Sequence, residues 1–372
     1  SQQESYKLDH IAFVELGERK LSFDEVENLH QLYLTDYQKY IEYNIRDVEL
    51  LDKLEDKMKL VDQALTIAYD AKVNYNDVFA QTKMWDVLIH NFLLKKNIII
   101  PDKKKSSKSE QYAGGYVKDP IVGMHEWVVS FDLNSLYPHL IMQYNISPEN
   151  LTYEKHEVTV DSLLNKEKPD LDENHSLTAG GWTFDKTSRG FLPEMMDQMY
   201  NDRVKYKKMM IEAQKKYEET KDKKYTKKIA RWKNMQLAKK TQLNSAYGAI
   251  GNQYFRYYDV RVAESITLSG QLSIRWIAND VNQYMNKLCQ TKDVDYIIAS
   301  DTDSIYVTFG ELIKKLNPKN PLEFLNTIIE KRIQGMIDMS YDNLKVFMNA
   351  YDNKMHMARE VIADKGIWTA KK

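Results

Sequence analysis

The segment that most constrains this fold is DYIIASDTDSIYVTF at 295–309, in which two apolar runs flank a polar, acidic centre. Such a pattern is typical of a β-hairpin, and Asp301 and Asp303 fall at its tip. Because alternate residues of an extended chain point to one side, these two carboxylates share a face. Carboxylates this close repel each other unless a cation lies between them. A divalent cation that prefers hard oxygen ligands, of which magnesium is the natural choice, meets that need.

A third acid follows a second predicted strand. The run WVVSFD at 127–132 has the β-branched and aromatic content of a buried strand and ends at Asp132. If this strand pairs beside the hairpin, three carboxylates meet, and such a group can hold two metal ions about 4 Å apart for in-line phosphoryl displacement. An isolated Asp-x-Asp more often only decorates a turn. The metal hypothesis therefore depends on the apolar flanks and on the remote third acid.

The chain leaves the second strand through a tight turn, NSLYP at 134–138. Backbone N–H groups in such a turn, together with the Ser135 hydroxyl, can cradle phosphate oxygens. Tyr137 would then present a flat ring near a sugar. A turn closed by Pro138 is, however, more often purely structural.

Apolar periodicity predicts helices in several stretches, namely 24–72, 76–94, 194–219, 225–249 and 262–288. Asp36 and Asn44 are candidate interruptions of the first stretch. Residues 151–190, which are punctuated by glycines, are predicted to form short strands and loops. The two long helices at 194–249 would form a helical hairpin between strand-bearing segments.

Positive charge is concentrated on this helical hairpin. From Arg203 to Lys240 there are fifteen Lys or Arg and four Asp or Glu, although the whole chain has a formal net charge of -1. The residues sharing one face of each helix are Arg203 and Lys207 on the first, and Lys240, Asn244 and Tyr247 on the second. If these faces meet, they form a cationic clamp for a triphosphate, with Tyr247 and Gly248 against a base pair. A solvated face of lysine-rich helices has the same spacing.

Composition excludes several classes of protein. Cys289 is the only cysteine, so no internal disulfide and no cysteine-based zinc site can form. The sequence has no apolar run of about 18 residues, and its opening SQQESYKLDH lacks the layout of a secretory signal. We therefore expect a soluble intracellular protein that does not bind a membrane.

Three segments together resemble a known family. DLNSLYP at 132–138, KKTQLNSAYGAIGN at 239–252 and SDTDSIYV at 300–307 are similar, in this order, to motifs A, B and C of family B DNA polymerases. FRYYDVR at 255–261 and YNISPENL at 144–151 extend the likeness to the replicative polymerases of T-even-type bacteriophages. The resemblance covers nearly the whole chain and is weakest at about 152–180 and 208–230.

The resemblance implies an α+β fold with an antiparallel palm sheet that carries the acids, a two-helix fingers insertion and a helical remnant of the exonuclease and N-terminal region. The expected boundaries are 1–59 for the end of the 3′–5′ exonuclease domain, 60–103 for a helical segment returning toward the N-terminal domain, 104–189 for the first part of the palm, 190–252 for the fingers and 253–372 for the second part of the palm.

The resemblance also implies roles for the residues that match. Asp132 and Asp303 would be the principal ligands of two Mg²⁺ ions, with Asp301 the neighbouring acid and the Leu133 carbonyl a further ligand. Glu360 resembles a palm carboxylate close to the metals. The residues implied to contact the nucleotide are Ser135, Leu136, Tyr137, Arg203, Lys207, Lys240, Asn244, Tyr247 and Gly248.

Other matching positions concern selectivity and DNA. Tyr137 is similar to a steric check against ribonucleotides, whereas His139 departs from the small residue often found after the motif A proline. The positions implied to contact DNA are Tyr112, Gly114 and Gly115 in a linker near the template, and Lys371 and Lys372 as the remnant of a primer-duplex contact.

The resemblance also indicates what this chain lacks. Tyr43 and Asp47, in YNIRD at 43–47, look like the last of three exonuclease motifs, and the two earlier motifs have no counterpart. The closing KGIWTAKK at 365–372 stops inside a motif that normally continues. We therefore expect a fragment without a thumb, in which proofreading by this chain alone is absent.

The implied activity is template-directed addition of deoxynucleotides to a primer 3′-hydroxyl during phage DNA replication, in the cytoplasm of an infected bacterial host. The implied partners are primer-template DNA and deoxynucleoside triphosphates, and the full-length enzyme would bind a sliding clamp through a segment absent here. Two alternatives remain open. One is a different two-metal phosphoryl transferase such as a nuclease. The other is a catalytically incomplete subunit of a split polymerase that needs a second chain.

Overall fold

The computed structural model describes residues 3–103 and 112–370 of the chain. The chain divides into two compact units, Ser1–Asp70 and Ala71–Lys372. No helix in the described ranges is both long enough and apolar enough to span a bilayer.

The first unit is helical. Its helices are α1 (Leu8–Leu16), α2 (Leu29–Thr35), α3 (Tyr37–Met58) and α4 (Leu60–Ala71), the last of which reaches the unit boundary. Asp36 separates α2 from α3 because its side chain caps α3 by accepting a hydrogen bond from the Lys39 N–H. The predicted break at Asn44 is wrong, since α3 continues through it. Tyr43, Leu50 and Leu54 are buried along α3, and this packing outweighs the low helix propensity of one asparagine.

The second unit combines helices with two antiparallel sheets. Its helices are α5 (Gln81–Leu94), α6 (Leu136–Tyr144), α7 (Val160–Leu164), α8 (Phe191–Thr220), α9 (Lys224–Ile250), α10 (Val260–Cys289), α11 (Gly310–Leu316), α12 (Pro321–Ile328) and α13 (Gln334–Phe347). Short 3₁₀ turns at Tyr75–Phe79 and Pro148–Asn150 precede α5 and the first strand of the smaller sheet, and a π-helical turn at Ile329–Ile333 joins α12 to α13.

The strands are β1 (Val117–Lys118), β2 (Gly123–Leu133), β3 (Leu151–Lys155), β4 (His175–Leu177), β5 (Trp182–Asp185), β6 (Ile297–Asp301), β7 (Ser304–Thr308) and β8 (Met357–Trp368). Five of them form a sheet in the order β1-β6-β7-β2-β8, and three form a smaller sheet in the order β3-β5-β4. All pairings are antiparallel. The α+β expectation is therefore confirmed.

The predicted hairpin and the predicted strand before Asp132 are neighbours in the larger sheet. β6 and β7 form the hairpin, and β2 lies beside β7 with Asp132 opposite Ser304. On its other side β2 pairs with β8, where Asp132 lies opposite Ala358 after a register shift at Ser130 and Phe131. Strand pairing thus brings together acids that are far apart in sequence.

The predicted helical hairpin is also present. α8 and α9 are joined at 221–223, where Lys221 adopts a left-handed backbone conformation and ends α8. Tyr206 of α8 stacks on Trp232 of α9 with ring centroids 5.8 Å apart. The basic side chains Lys207 and Lys240 are exposed on this pair.

Two local expectations need correction. The turn expected over 134–138 ends early, because α6 begins at Leu136 and holds Pro138 in its first turn, where proline is tolerated. The helix expected over 76–94 is interrupted at Ala80, between the 3₁₀ turn and α5.

α5 packs against α9 through Trp85. This side chain is 1% exposed, and its Nε1–H donates a 3.0 Å hydrogen bond to Ser245 Oγ. Asp86, the next residue, accepts hydrogen bonds of 2.7 and 3.0 Å from the Arg256 guanidinium. A buried tryptophan and a bidentate ion pair therefore fasten α5 within the second unit.

We expect Trp85→Ala to lower the free energy of unfolding of the second unit by about 3–5 kcal/mol, because it leaves a cavity between α5 and α9. Trp85→Phe should cost about 1–2 kcal/mol, since it keeps most of the ring but loses the hydrogen bond. Urea titrations followed by far-UV circular dichroism measure both, with His90→Ala on the exposed side of α5 as the control. An alanine variant as stable as the control would contradict this packing.

Candidate active site

The three acids singled out in the sequence lie at one end of the five-stranded sheet. Asp132 is the penultimate residue of β2, Asp301 ends β6, and Asp303 belongs to the turn between β6 and β7. The Leu133 N–H donates a 2.8 Å hydrogen bond to the carbonyl oxygen of Asp303. Strand pairing and this hydrogen bond fix Asp132 and Asp303 as neighbours.

The turn that carries Asp303 is itself held by the backbone. Thr302, between the two acids, has φ of 51°, which lies in the left-handed region that residues other than glycine rarely adopt. Its N–H donates a 2.9 Å hydrogen bond to the Tyr116 carbonyl, so the segment before β1 stabilises the turn. Asp301 is exposed, whereas Asp303 is partly buried.

The electrostatics of the acids reflect this crowding. Burial, together with the charges of Asp303 and Glu360, raises the pKa of Asp132 from 3.8 to about 6. Burial also raises the pKa of Asp303, and Asp301 and Glu360 add to the effect. Glu360 lies on β8 and is exposed. The folded chain therefore holds negative charges together at a cost in free energy.

The residues fit a divalent cation in chemistry. Asp132 and Asp303 offer hard oxygen atoms, and a cation between them would offset the burial and the neighbouring negative charges that raise the pKa of each. Within residues 3–103 and 112–370, no three His, Cys, Asp or Glu side chains are arranged to hold a metal ion by themselves. The carboxylate pair is thus the core of the candidate site, and further ligands would have to come from other groups.

The turn after β2 meets the basic face of α8. Ser135 has a left-handed backbone, with φ of 48° and ψ of 55°. The Arg203 guanidinium donates a 3.3 Å hydrogen bond to Ser135 Oγ. Leu136 is buried beneath the turn. The structure therefore brings two of the predicted nucleotide-binding residues into direct contact, next to the acids.

An aromatic pair forms another wall. The rings of Tyr137 and Tyr247 lie 4.5 Å apart at an interplanar angle of 40°. Burial raises the pKa of both phenols, so both stay neutral at ordinary pH. Gly248 follows Tyr247, and a Cβ atom on it would overlap Oε1 of Gln81.

The linker residues lie against this wall. Tyr247 Oη lies 3.2 Å from Tyr112 Oη, and Gln271 donates a 2.6 Å hydrogen bond to the Gly114 carbonyl. A Cβ atom on Gly115 would come within 3.0 Å of Thr302 and 3.2 Å of the Tyr137 hydroxyl. The absence of a side chain at Gly115 thus permits close contact between the linker and the acid-bearing turn.

The remaining predicted site residues lie on α3, α8 and α9 or outside the described residues. Lys207, Lys240 and Asn244 are exposed on α8 and α9. Tyr43 and Asp47 lie on α3 of the first unit, where Lys20 forms a 2.8 Å ion pair with Asp47 and lies over the Tyr43 ring. Lys371 and Lys372 fall outside the described residues.

The sequence interpretation did not find Thr302, Gln81 or Gln271. Thr302 was visible as the residue between the two acids. Gln81 and Gln271 carry no local signal, because they reach the site from helices distant in sequence.

Comparison with known proteins agrees with these features. Residues 76–342 match the model of the family described as DNA polymerase family B. The chain belongs to this family. It is 33% identical to the DNA-directed DNA polymerase of Enterobacteria phage T4, in an alignment that covers 99% of this chain and 47% of the relative. The resemblance inferred from motifs A, B and C is thereby confirmed.

Other family B relatives agree. The DNA-directed DNA polymerase of Escherichia phage RB69 is 32% identical over 100% of this chain and 47% of that protein. DNA polymerase 1 of Pyrococcus abyssi is 28% identical over 70% of this chain and 31% of that protein. The chain thus spans about half the length of the phage relatives.

The raised pKa of Asp132 generates a stability prediction. Its folded pKa of about 6 exceeds the ordinary 3.8, so ionisation of Asp132 destabilises the fold, progressively as pH rises from about 4 to above 6. We expect Asp132→Asn, in buffer containing EDTA, to raise the free energy of unfolding at pH 7.5 by about 1–2 kcal/mol, allowing for solvent screening. The gain should shrink toward zero near pH 4.

Urea midpoints of both proteins between pH 4 and pH 8 measure this effect. Asp301→Asn is the matched control, because this carboxylate is exposed and should give a smaller gain. An Asp132→Asn protein that is less stable than wild type at pH 7.5 would show that ionisation of this carboxylate does not destabilise the fold.

Proposed function

We propose that this chain carries the nucleotidyl-transfer centre of a family B DNA polymerase and adds deoxynucleotides to the 3′-hydroxyl of a primer under the direction of a template. The observation that carries the proposal is the contact between Arg203 and Ser135, at 3.3 Å. It joins the basic helical hairpin to the turn that begins two residues after Asp132. An anion-binding face and an acidic pair beside each other match transfer of a nucleotide from a metal-bound triphosphate.

In this proposal the five-stranded sheet is the palm and the α8–α9 hairpin is the fingers. Residues 1–59 would be the end of an exonuclease domain, and residues 60–103 the helical segment that returns toward the N-terminal domain. Antiparallel pairing of β2 with β7 and insertion of α8 and α9 between the two parts of the sheet support this description.

Asp132 and Asp303, with Asp301 and the Leu133 carbonyl beside them, would hold two Mg²⁺ ions, whose chemistry is activation of the primer hydroxyl and stabilisation of the leaving pyrophosphate. The raised pKa of Asp132 and of Asp303 supports this assignment, because a nearby cation would stabilise the ionised form of both carboxylates.

The triphosphate would lie between the turn after β2 and the helical hairpin. The turn can donate from its backbone N–H groups and the Ser135 hydroxyl. Arg203 would provide a planar guanidinium for phosphate oxygens. Lys207, Lys240 and Asn244 would extend the clamp along α8 and α9, where their side chains are exposed and able to reach a ligand.

The aromatic pair would select the sugar and support the nascent base pair. Tyr137 is confined by the Tyr247 ring and by Gly270, where a Cβ atom would lie 3.3 Å from Tyr137 Cε1. A ring that cannot move aside is suited to exclude a 2′-hydroxyl. Tyr247 and Gly248 would offer a flat surface to the base pair.

We further propose that primer-template DNA and deoxynucleoside triphosphates are the ligands, that the full-length enzyme binds a sliding clamp, and that the protein acts in the cytoplasm of an infected bacterium. The excess of basic residues between Arg203 and Lys240 supports binding of a polyanion despite the net charge of -1.

We expect the chain, with Mg²⁺ at low salt, to lengthen a labelled primer on a template. Asp303→Asn should lower the rate by about a thousandfold or more, because several kcal/mol of transition-state stabilisation is lost. Asp293→Asn, in an exposed loop whose φ of 55° suits asparagine, is the matched control and should extend normally.

The outcomes separate the alternatives. Equal extension by wild type and Asp303→Asn would end the proposal for this site. Shortening of the primer would favour a nuclease. Nucleotide binding without extension, followed by extension when a second polymerase chain is added, would favour an incomplete subunit.

We also expect Tyr137→Ala to raise incorporation of ribonucleotides relative to deoxynucleotides by at least about tenfold, because the wall beside the sugar is removed and tenfold corresponds to only about 1.4 kcal/mol. Single-nucleotide extension with each substrate measures the ratio. Tyr137→Phe keeps the ring and serves as the control. Unchanged selectivity in the alanine variant would remove Tyr137 from this role.

A further inference from the structure

His139 lies one helical turn after Ser135 and is 6% exposed. Its ring Nδ1 lies 3.0 Å from the Ser135 carbonyl oxygen, and its backbone N–H donates to the same oxygen at 3.2 Å. A carbonyl oxygen can only accept, so Nδ1 must carry the proton. Burial lowers the pKa of His139, and the nearby charges of Lys354 and Arg203 act in the same direction, so the ring is neutral at ordinary pH.

The His139 ring also contacts α8. Tyr200 meets it edge to face, with ring centroids 4.6 Å apart and an interplanar angle of 85°. Tyr200 and Arg203 are three residues apart on α8 and therefore lie on the same face. Arg203 returns to the turn through its hydrogen bond to Ser135 Oγ. Three contacts and the backbone of α8 thus link Ser135, His139, Tyr200 and Arg203, and we call this set the turn–helix circuit.

The contacts of the turn–helix circuit stabilise the turn at Ser135. Ser135 has φ of 48°, and a residue other than glycine adopts this conformation at a cost. The side chain of His139 adds a second hydrogen bond to the Ser135 carbonyl, which already accepts the His139 N–H, and so stabilises the turn. Its ring packs against Tyr200, which holds the helix that carries Arg203 against the turn that carries Ser135.

We propose that His139 is a positioning residue for the incoming nucleotide, which pre-arranges Ser135 and Arg203 for the triphosphate by joining the turn to α8. The inference rests on the proposed function. It also gives a role to the residue after the motif A proline, where a small residue was expected. A pre-arranged clamp lowers the ordering cost of binding and acts on nucleotide affinity more than on the chemical step.

The two contacts of His139 can be removed separately. Asn places an N–H donor where Nδ1 lies but lacks the ring, and Phe keeps the ring against Tyr200 but lacks the donor. Ala removes both. We expect His139→Ala to raise KM for the deoxynucleotide about tenfold, since roughly 1.4 kcal/mol of pre-organisation is tenfold in affinity, with kcat within about twofold. Asn and Phe should each restore part of the affinity.

A second readout does not need turnover. With Ca²⁺ in place of Mg²⁺ and a primer-template present, the deoxynucleotide concentration that half-protects the α8–α9 hairpin from trypsin should rise in parallel with KM. Tyr200→Ala should reproduce the loss of the ring contact. Asn201→Ala, on the exposed neighbour of Tyr200, is the matched control and should behave as wild type.

The outcomes distinguish the two proposals. Wild-type protein that neither extends a primer nor is protected by deoxynucleotide contradicts the proposed function. Wild-type protein that does both, with a folded His139→Ala variant of unchanged KM and unchanged protection, overturns the positioning role. A fall in kcat and thermal stability at constant KM also overturns it, because that result describes a merely structural residue.

Discussion

The arrangement of the second unit depends on holding Asp132 against Asp303 in spite of their mutual repulsion. Burial is the main reason that the pKa of both carboxylates is raised, and neighbouring negative charges, including that of Asp303 on Asp132, add to the effect. Strand pairing and burial next to the acids offset this cost. Val129 and Phe131 of β2 are buried, and both residues pair with β7. Burying each such side chain contributes about 1.5–3 kcal/mol, at least as much as the ionisation of Asp132 is expected to cost. A sheet with this core can present ionised groups at its end without unfolding.

Further packing is arranged around that end of the sheet. Gly115 and Gly270 allow the linker and α10 to approach Tyr137 from two sides, and Tyr247 closes a third. The acids are therefore next to an aromatic wall, while the basic residues lie on α8 and α9. The turn after β2 joins the sheet to these helices, because Ser135 follows β2 by two residues and accepts the hydrogen bond of Arg203 from α8.

Local patterns were sufficient for much of this fold. The alternating apolar runs of the hairpin and the helical spacing in α8 and α9 are properties of short segments, and the structure confirms them. The failure at Asn44 has a tertiary cause, whereas the failure at 134–138 has a local one. Packing of Tyr43 and Leu50 keeps α3 continuous, and Pro138 is accommodated because its position in the first turn needs no N–H donor.

For the candidate site, the sequence predicted the chemistry of the residues but not their contacts. The acids and the basic faces have recognisable residue types at fixed spacings, so their chemistry could be inferred before their contacts were known. The contact of Ser135 with Arg203 joins residues 68 positions apart, and that of Trp85 with Ser245 joins residues 160 apart. Such contacts depend on topology. His139 had no predicted role for a related reason: Ser135 is four residues away, but Tyr200 lies on α8, and only the fold brings it to the His139 ring.

The contact of Arg203 with Ser135 bears on how the proposed clamp would bind a triphosphate. Its hydrogen bond to Ser135 Oγ is long at 3.3 Å and joins a charged donor to a neutral acceptor. A phosphate oxygen in the same space would replace it with shorter, charge-assisted bonds, so little is lost when the contact opens for a ligand. Arg203 is half-buried, whereas Lys207 and Lys240 are exposed and subject to screening by salt. Under the proposed function, the arginine would therefore supply the part of triphosphate binding that persists at physiological ionic strength, and the lysines the part that salt removes.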